Sequence, residues 1–148
     1  LHLLAALRLC ANVTAQWAVP PALQDAPTIG ALTAPGGRLH DARDAVLRGV
    51  AGSDYLDLVA PHGALYAFPQ VRADRFASFD DEAFALRLLE EESVLVVPGS
   101  SFNVPRSRHF RLTLLPSSAQ LHEVFARIER VLARMAGEQP LQSAGVAA

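Results

Sequence analysis

Residues 94–116, VLVVPGSSFNVPRSRHFRLTLLP, constrain this chain more than any other stretch. They read as a buried strand, a Gly/Ser-rich loop, and a second strand that sets one arginine among apolar residues. Residues 94–97 are β-branched apart from Leu95. Pro98-Gly99 stops that strand, because proline has no N–H to donate and glycine admits positive φ. In the second strand Phe110, Leu112 and Leu114 alternate with Arg111 and Thr113. Successive strand side chains point to opposite faces, so the first set lies against a core and the second faces away from it. Arg111 then stands beside the loop 100–108, where a guanidinium is a planar, fork-shaped partner for a carboxylate. An ordinary solvated arginine on a half-buried strand gives the same pattern, since most arginines are exposed.

The chain has 148 residues, enough for one domain with a real core. A net charge of −2 offers no basic surplus for phosphate backbones, which argues against a nucleic-acid partner. The single cysteine, Cys10, excludes an internal disulfide framework and points to a reducing, cytoplasmic setting. No uncharged apolar run approaches the ~18 residues a membrane span needs. All 13 basic residues are arginines, so no lysine is available for a Schiff base.

Residues 1–11 are apolar and short, with Arg8 breaking any signal-peptide core, and read as part of a longer helical protein. Residues 14–23 look helical until Pro20-Pro21, with Trp17 expected to pack. Residues 25–37 hold prolines and glycines and read as turns at a subdomain boundary. A helix restarts at 37–50 with Leu39, Ala42, Val46, Leu47 and Val50 on one stripe, and Gly49 and Gly52 weakening its end. Leu56, Leu58 and Ala60 alternate as a half-buried strand, and ALYAF, 64–68, reads as a central strand covered on both faces. Hairpin-like 56–68 favours antiparallel pairing.

Asp80-Asp81-Glu82 opens a helix whose buried stripe is Phe84, Leu88 and Leu89 and whose solvated end is Glu90-Glu91-Glu92. The last helix carries Leu121, Val124, Phe125, Ile128, Val131, Leu132 and Met135 on one face and Glu123, Arg127, Arg130 and Arg134 opposite, with Gly137 closing it. The order helix, strand, strand, helix, strand, strand, helix makes an α/β (α+β-like) two-layer sandwich, about four strands with helices mainly on one face.

The histidines His2, His40, His62, His109 and His122 are scattered without metal-ligand spacing. His109 adjoins the loop and either lines a site or is simply exposed or capped. PGSSFN lacks the second glycine of a nucleophile elbow, and the glycines at 36–37 lack phosphate-loop spacing. From the residues alone, the chain is an α/β domain with an arginine beside a polar loop.

PGSSFN followed by HFRLTLLP resembles the C-terminal segment of class I/II (fold type I) pyridoxal-phosphate aminotransferases, in their alanine-transaminase-like branch. RLCANVTAQWA, APGGRLHDARDAV and PHGALYAFPQV resemble further family segments in the family's order. The resemblance implies residues 1–30 as a remnant of the large PLP-binding domain, 31–136 as the small C-terminal domain and 137–148 as a flexible tail. It implies a homodimeric enzyme that moves an amino group between an alanine- or glutamate-type amino acid and a 2-oxo acid. It casts Arg111 as the grip on the substrate α-carboxylate, with Ser100, Phe102 and Asn103 shaping the loop beside it.

The chain departs from the family in lacking the cofactor lysine, the aspartate for the pyridine nitrogen and the phosphate loop. No residue of this chain is therefore expected to be catalytic, and the chain alone is expected to be inactive. Thr14, Trp17, Pro20-Pro21 and His62 also depart from the family pattern. A non-catalytic ligand-binding module on the same scaffold, such as the effector half of a regulator, and a packing remnant are the other readings.

Overall fold

The computed structural model describes residues 12–104 and 107–138; the expectations for Cys10, His2 and the rest of 1–11, and for 139–148, lie outside the described residues. Three short helices come first, α1 (Val13–Gln16), α2 (Val19–Gln24) and α3 (Ala26–Thr33). They are followed by α4 (Arg38–Ala51), β1 (Leu56–Asp57), β2 (Tyr66–Ala67), β3 (Gln70–Val71) and α5 (Asp81–Glu92). β4 (Val97–Pro98), β5 (Phe110–Thr113) and α6 (Ser118–Glu138) complete the order.

The prolines begin helices here rather than ending them. Pro20 and Pro21 sit in the first turn of α2, where the N–H groups have no intrahelical partner and proline's fixed φ already suits the helix. Pro27 does the same in α3, which Asp25 caps by accepting from the Thr28 N–H at 3.3 Å. Most of the stretch expected as turns is therefore helical. Trp17, expected to pack, is 78% exposed, and Val19, Leu23 and Ile29 are exposed with it.

Every strand pairing is antiparallel. Tyr66 faces Thr113 and Ala67 faces Leu112, and Gln70 bridges His109 in the same register. Between them Pro69 has no N–H to give, and its carbonyl accepts from Phe110 N–H at 3.1 Å. β1 lies on the far side of β3, and β4 on the far side of β5, with Val97 opposite Arg111. The two small sheets thus join through one bridge into a run of strands with β5 inside it. Two expectations need correcting. ALYAF is not a strand covered on both faces: Ala64 has φ 60, Leu65 and Tyr66 are exposed, and only Tyr66–Ala67 pair as a strand. The strand expected at 94–97 is Val97–Pro98, preceded by an alternation of buried Val94, exposed Leu95 and buried Val96. Pro98 belongs to the strand, because it needs no N–H where Gly99 N–H supplies the next bond to the His109 carbonyl at 2.8 Å.

One apolar cluster joins α4 (Ala42, Ala45, Val46), α5 (Phe84, Leu88), β5 (Phe110, Leu112) and α6 (Leu121, Phe125, Ile128, Val131, Leu132). Phe84 and Phe110 are fully buried, each worth about 1.5–3 kcal/mol of apolar transfer. Gly49 is a packing device rather than a weak helix end. A Cβ there would lie 2.5 Å from the Phe125 ring, so glycine lets α4 cross α6 closely. Leu89, expected in the buried stripe of α5, is 44% exposed; Ala85 is buried in its place. α6 runs through Gly137 instead of closing there, and Glu138 accepts from Arg87 at 2.6 and 2.9 Å. Among the described residues no helix is long and apolar enough to cross a membrane, and no cluster of His, Cys, Asp or Glu could hold a metal.

Candidate functional site

Arg111 occupies the outer face of β5, half-buried, while Phe110 and Leu112 on either side are buried. Its guanidinium carbon lies 4.4 Å from the Tyr66 ring centre and 4.9 Å from that of Phe102. β2 delivers Tyr66, because Tyr66 pairs with Thr113 and so shares a face with Arg111. Phe102 arrives from the 3₁₀ turn Gly99–Phe102. Together with Ala67 and Phe68 these side chains line an open, mostly apolar concavity of about 290 Å³.

Two contacts from α5 hold that turn. The Ser100 N–H donates to Asp81 Oδ2 at 2.7 Å, and the Ser100 hydroxyl donates to Glu82 Oε1 at 3.2 Å. Asp80 meanwhile caps α5 by accepting from Glu82 and Ala83 N–H at 3.0 and 2.9 Å, which frees Asp81, itself buried, for the turn. Gly99 has no room for a side chain: a Cβ would run into Ser107 Oγ and come within 2.9 Å of the His109 carbonyl. Asn103 ends the turn in the left-handed region, φ 58, where asparagine is one of the few tolerant residues.

Behind Phe102 stand two more rings. Phe68 meets Phe102 edge-on at 5.7 Å and stacks on His109 at 4.9 Å with 10° between planes. His109 is neither freely exposed nor capped: its ring is half-buried, and among the described residues its Nδ1 is buried with no partner. Burial holds its pKa below 6.5, against a weaker pull upward from the Asp81 carboxylate.

The electrostatic setting of Arg111 differs from that of every other described arginine. Arg38, Arg43 and Arg108 donate to backbone carbonyls. Arg48, Arg72, Arg75, Arg87, Arg127, Arg130 and Arg134 each face a carboxylate. Among the described residues Arg111 alone meets no protein oxygen, and every Asp and Glu of the chain is among those residues. Of the expected site residues, then, Arg111 and Phe102 come together. Ser100 is spent on α5, and Asn103 stands exposed at the end of the turn.

Sequence comparison gives this geometry a family. A family model described as "Aminotransferase class I and II" matches residues 5–128. The chain belongs to the class I and II aminotransferases. It is 39% identical over 132 residues to the glutamate-pyruvate aminotransferase AlaA of Escherichia coli K12, a match covering 89% of this chain and 33% of that protein. It is 41% identical over 130 residues to the alanine aminotransferase of Mycobacterium bovis, covering 88% and 30%. An Escherichia coli aminotransferase crystal structure superposes with a TM-score of 0.77 at 38% identity, covering 88% of this chain and 32% of that one. The crystal structure of an aspartate aminotransferase from Rhizobium meliloti superposes with a TM-score of 0.57 at 34% identity, covering 65% and 25%. The chain therefore spans about a third of the curated relatives it matches, corresponding to their C-terminal part.

The family depends on PLP. No lysine exists in the chain to bond the cofactor's aldehyde, and the Arg111 concavity is walled by rings. Sequence reasoning missed Tyr66, whose place follows only from the β2–β5 register, and Asp81, whose burial is invisible in an acidic run. It also missed Arg108, which ties the carbonyls of Val71, Arg72 and Phe76.

Proposed function

We propose that this chain is the C-terminal, substrate-carboxylate-binding part of a PLP-dependent aminotransferase that moves an amino group between an alanine- or glutamate-type amino acid and a 2-oxo acid. In that reading residues 31–136 are the small C-terminal domain, a two-layer sandwich, and 1–30 belong to the large domain. The lysine and the PLP contacts lie outside this chain, in a protein that works as a homodimer. Arg111 receives the substrate's α-carboxylate through two parallel charge-assisted hydrogen bonds and fixes its orientation. Phe102, with Ser100 and Asn103 shaping its turn, borders the bound carboxylate.

The observation that carries this reading is Arg111 itself, an arginine that meets no protein oxygen among the described residues, at a concave surface in an aminotransferase family member. The similarity to an alanine aminotransferase and a glutamate-pyruvate aminotransferase supports the substrate class. The test is transamination of alanine with 2-oxoglutarate. The intact protein turns over and its Arg111→Lys variant, which keeps charge but loses the fork, is strongly impaired. The 148-residue chain with added PLP gives no product; turnover by that chain alone removes the reading that the reacting centre lies elsewhere.

A further inference from the structure

Tyr66 and Phe102 do more than wall the concavity: we infer that they are positioning residues that hold the Arg111 guanidinium in place by cation–π contact, so that it stays fixed with no protein carboxylate to pin it. An arginine side chain is long and rotamer-rich, and most described arginines here are restrained by oxygens. Arg111 has rings instead, at 4.4 and 4.9 Å, inside the ~6 Å range in which a cation is drawn to a ring face. The choice of restraint matters chemically. A carboxylate would consume the in-plane N–H groups, whereas stacking uses the faces of the guanidinium and leaves those N–H groups for a ligand.

The backbone brings each ring to Arg111. Tyr66 is placed on the same face by its ladder pairing with Thr113. Phe102 is set by the turn that Asp81 anchors through the Ser100 N–H, and by the edge contact of Phe68, which His109 backs in turn. Both rings are partly solvent-exposed, 47% and 41%, so they contribute little core burial that would otherwise explain them. This inference deepens the carboxylate reading and rests on it only for the choice of ligand probe.

The experiment is proton–nitrogen NMR of the full 148-residue chain, following the Arg111 Nε–Hε resonance, assigned by its loss in Arg111→Lys. In the native chain the Arg111 side-chain protons are shifted upfield by the rings. Tyr66→Leu and Phe102→Leu move those resonances toward free arginine, and Tyr66→Phe, which keeps a ring, restores them. The backbone amide spectrum verifies that each variant is folded, and the native measurement needs no variant at all. An unshifted Arg111 in the native chain overturns the inference, as does an unchanged resonance in folded leucine variants.

Acetate titration then separates the two ideas. With ring positioning and carboxylate binding both in force, each leucine variant weakens the acetate dissociation constant by roughly threefold. Ring-shifted Arg111 protons with no acetate response sink the carboxylate reading and keep the positioning. Acetate binding that both leucine variants leave untouched sinks the positioning and keeps the reading.

Discussion

Two regions of this molecule use arginine in opposite ways. Along the α5–α6 seam, Arg130 and Arg134 close on Glu92 at 2.7 and 2.9 Å, and Arg87 takes Glu91 and Glu138. There the charge is consumed by the fold, and Glu92 is left only 12% exposed. On the outer face of β5, Arg111 rests on aromatic rings, and among the described residues no carboxylate meets its charge. The contrast separates an arginine that holds helices together from one that is available to a ligand, although both are partly exposed residues of the same type.

The largest expected effect tests that separation directly. Arg111→Ala should cost the intact aminotransferase about 100-fold in kcat/KM for alanine, about 3 kcal/mol for two charge-assisted hydrogen bonds. The urea unfolding midpoint of the 148-residue chain should hardly move. Arg134→Ala should do the reverse, leaving kcat/KM intact and lowering the midpoint. A stability loss at Arg111 with unchanged kinetics would erase the contrast.

Gly99→Ala comes next, at about 2 kcal/mol of destabilisation by the cost of overpacking. The added methyl meets Ser107 Oγ and the His109 carbonyl, which is backbone and yields little. The turn carrying Phe102 must shift, so the Arg111 side should suffer in carboxylate binding as well as in urea midpoint. Gly52→Ala, whose Cβ has ordinary contacts, is the control.

What the sequence disclosed about these regions divides along physical lines. The alternation around Arg111 and the helical stripe of α6 were legible because period two and period 3.6 are local signals. The partners of Arg111 were not, because Tyr66 lies far away in sequence and only strand register brings it there. Glu90-Glu91-Glu92 read as the solvated end of α5, where negative charge at a helix C-terminus is a weakness. The structure answers that weakness with arginines from α6, a contact between helices that one-helix reasoning does not contain. Prolines misled in the other direction: at 20, 21 and 27 their meaning depends on which turn of a helix they occupy, and composition does not carry that.

A smaller effect comes from the end of α5. Ser93 caps that helix at φ 55, ψ 38, a left-handed conformation that costs a residue with a Cβ. Ser93→Gly should relieve this and stabilise the chain by about 1 kcal/mol, read as a higher urea midpoint. Because the site does not depend on that cap, carboxylate binding should stay as it was. A loss of binding would mean that the seam and the site are coupled.

The finest separation is by pH, since each region holds a group with its pKa displaced downward. At the site, burial lowers the His109 pKa below 6.5, so the folded chain binds fewer protons there than the unfolded one. Its contribution is complete above pH 6.5 and fades as pH falls through the lowered value. At the seam, hydrogen bonds from Arg130 and Arg134 hold Glu92 at about 2, against 4.5 ordinarily. That contribution is complete above pH 4.5 and is lost between there and about 2. Urea midpoints measured from pH 8 to 2 should therefore fall in two stages. His109→Phe should flatten the upper stage and leave the lower, and Glu92→Gln should shrink the lower, to which the lowered Glu91 and Glu138 also contribute, and leave the upper. Both substitutions acting on one stage would show that the aromatic face and the helix seam titrate as a single unit, and the two uses of arginine would then belong to one electrostatic system.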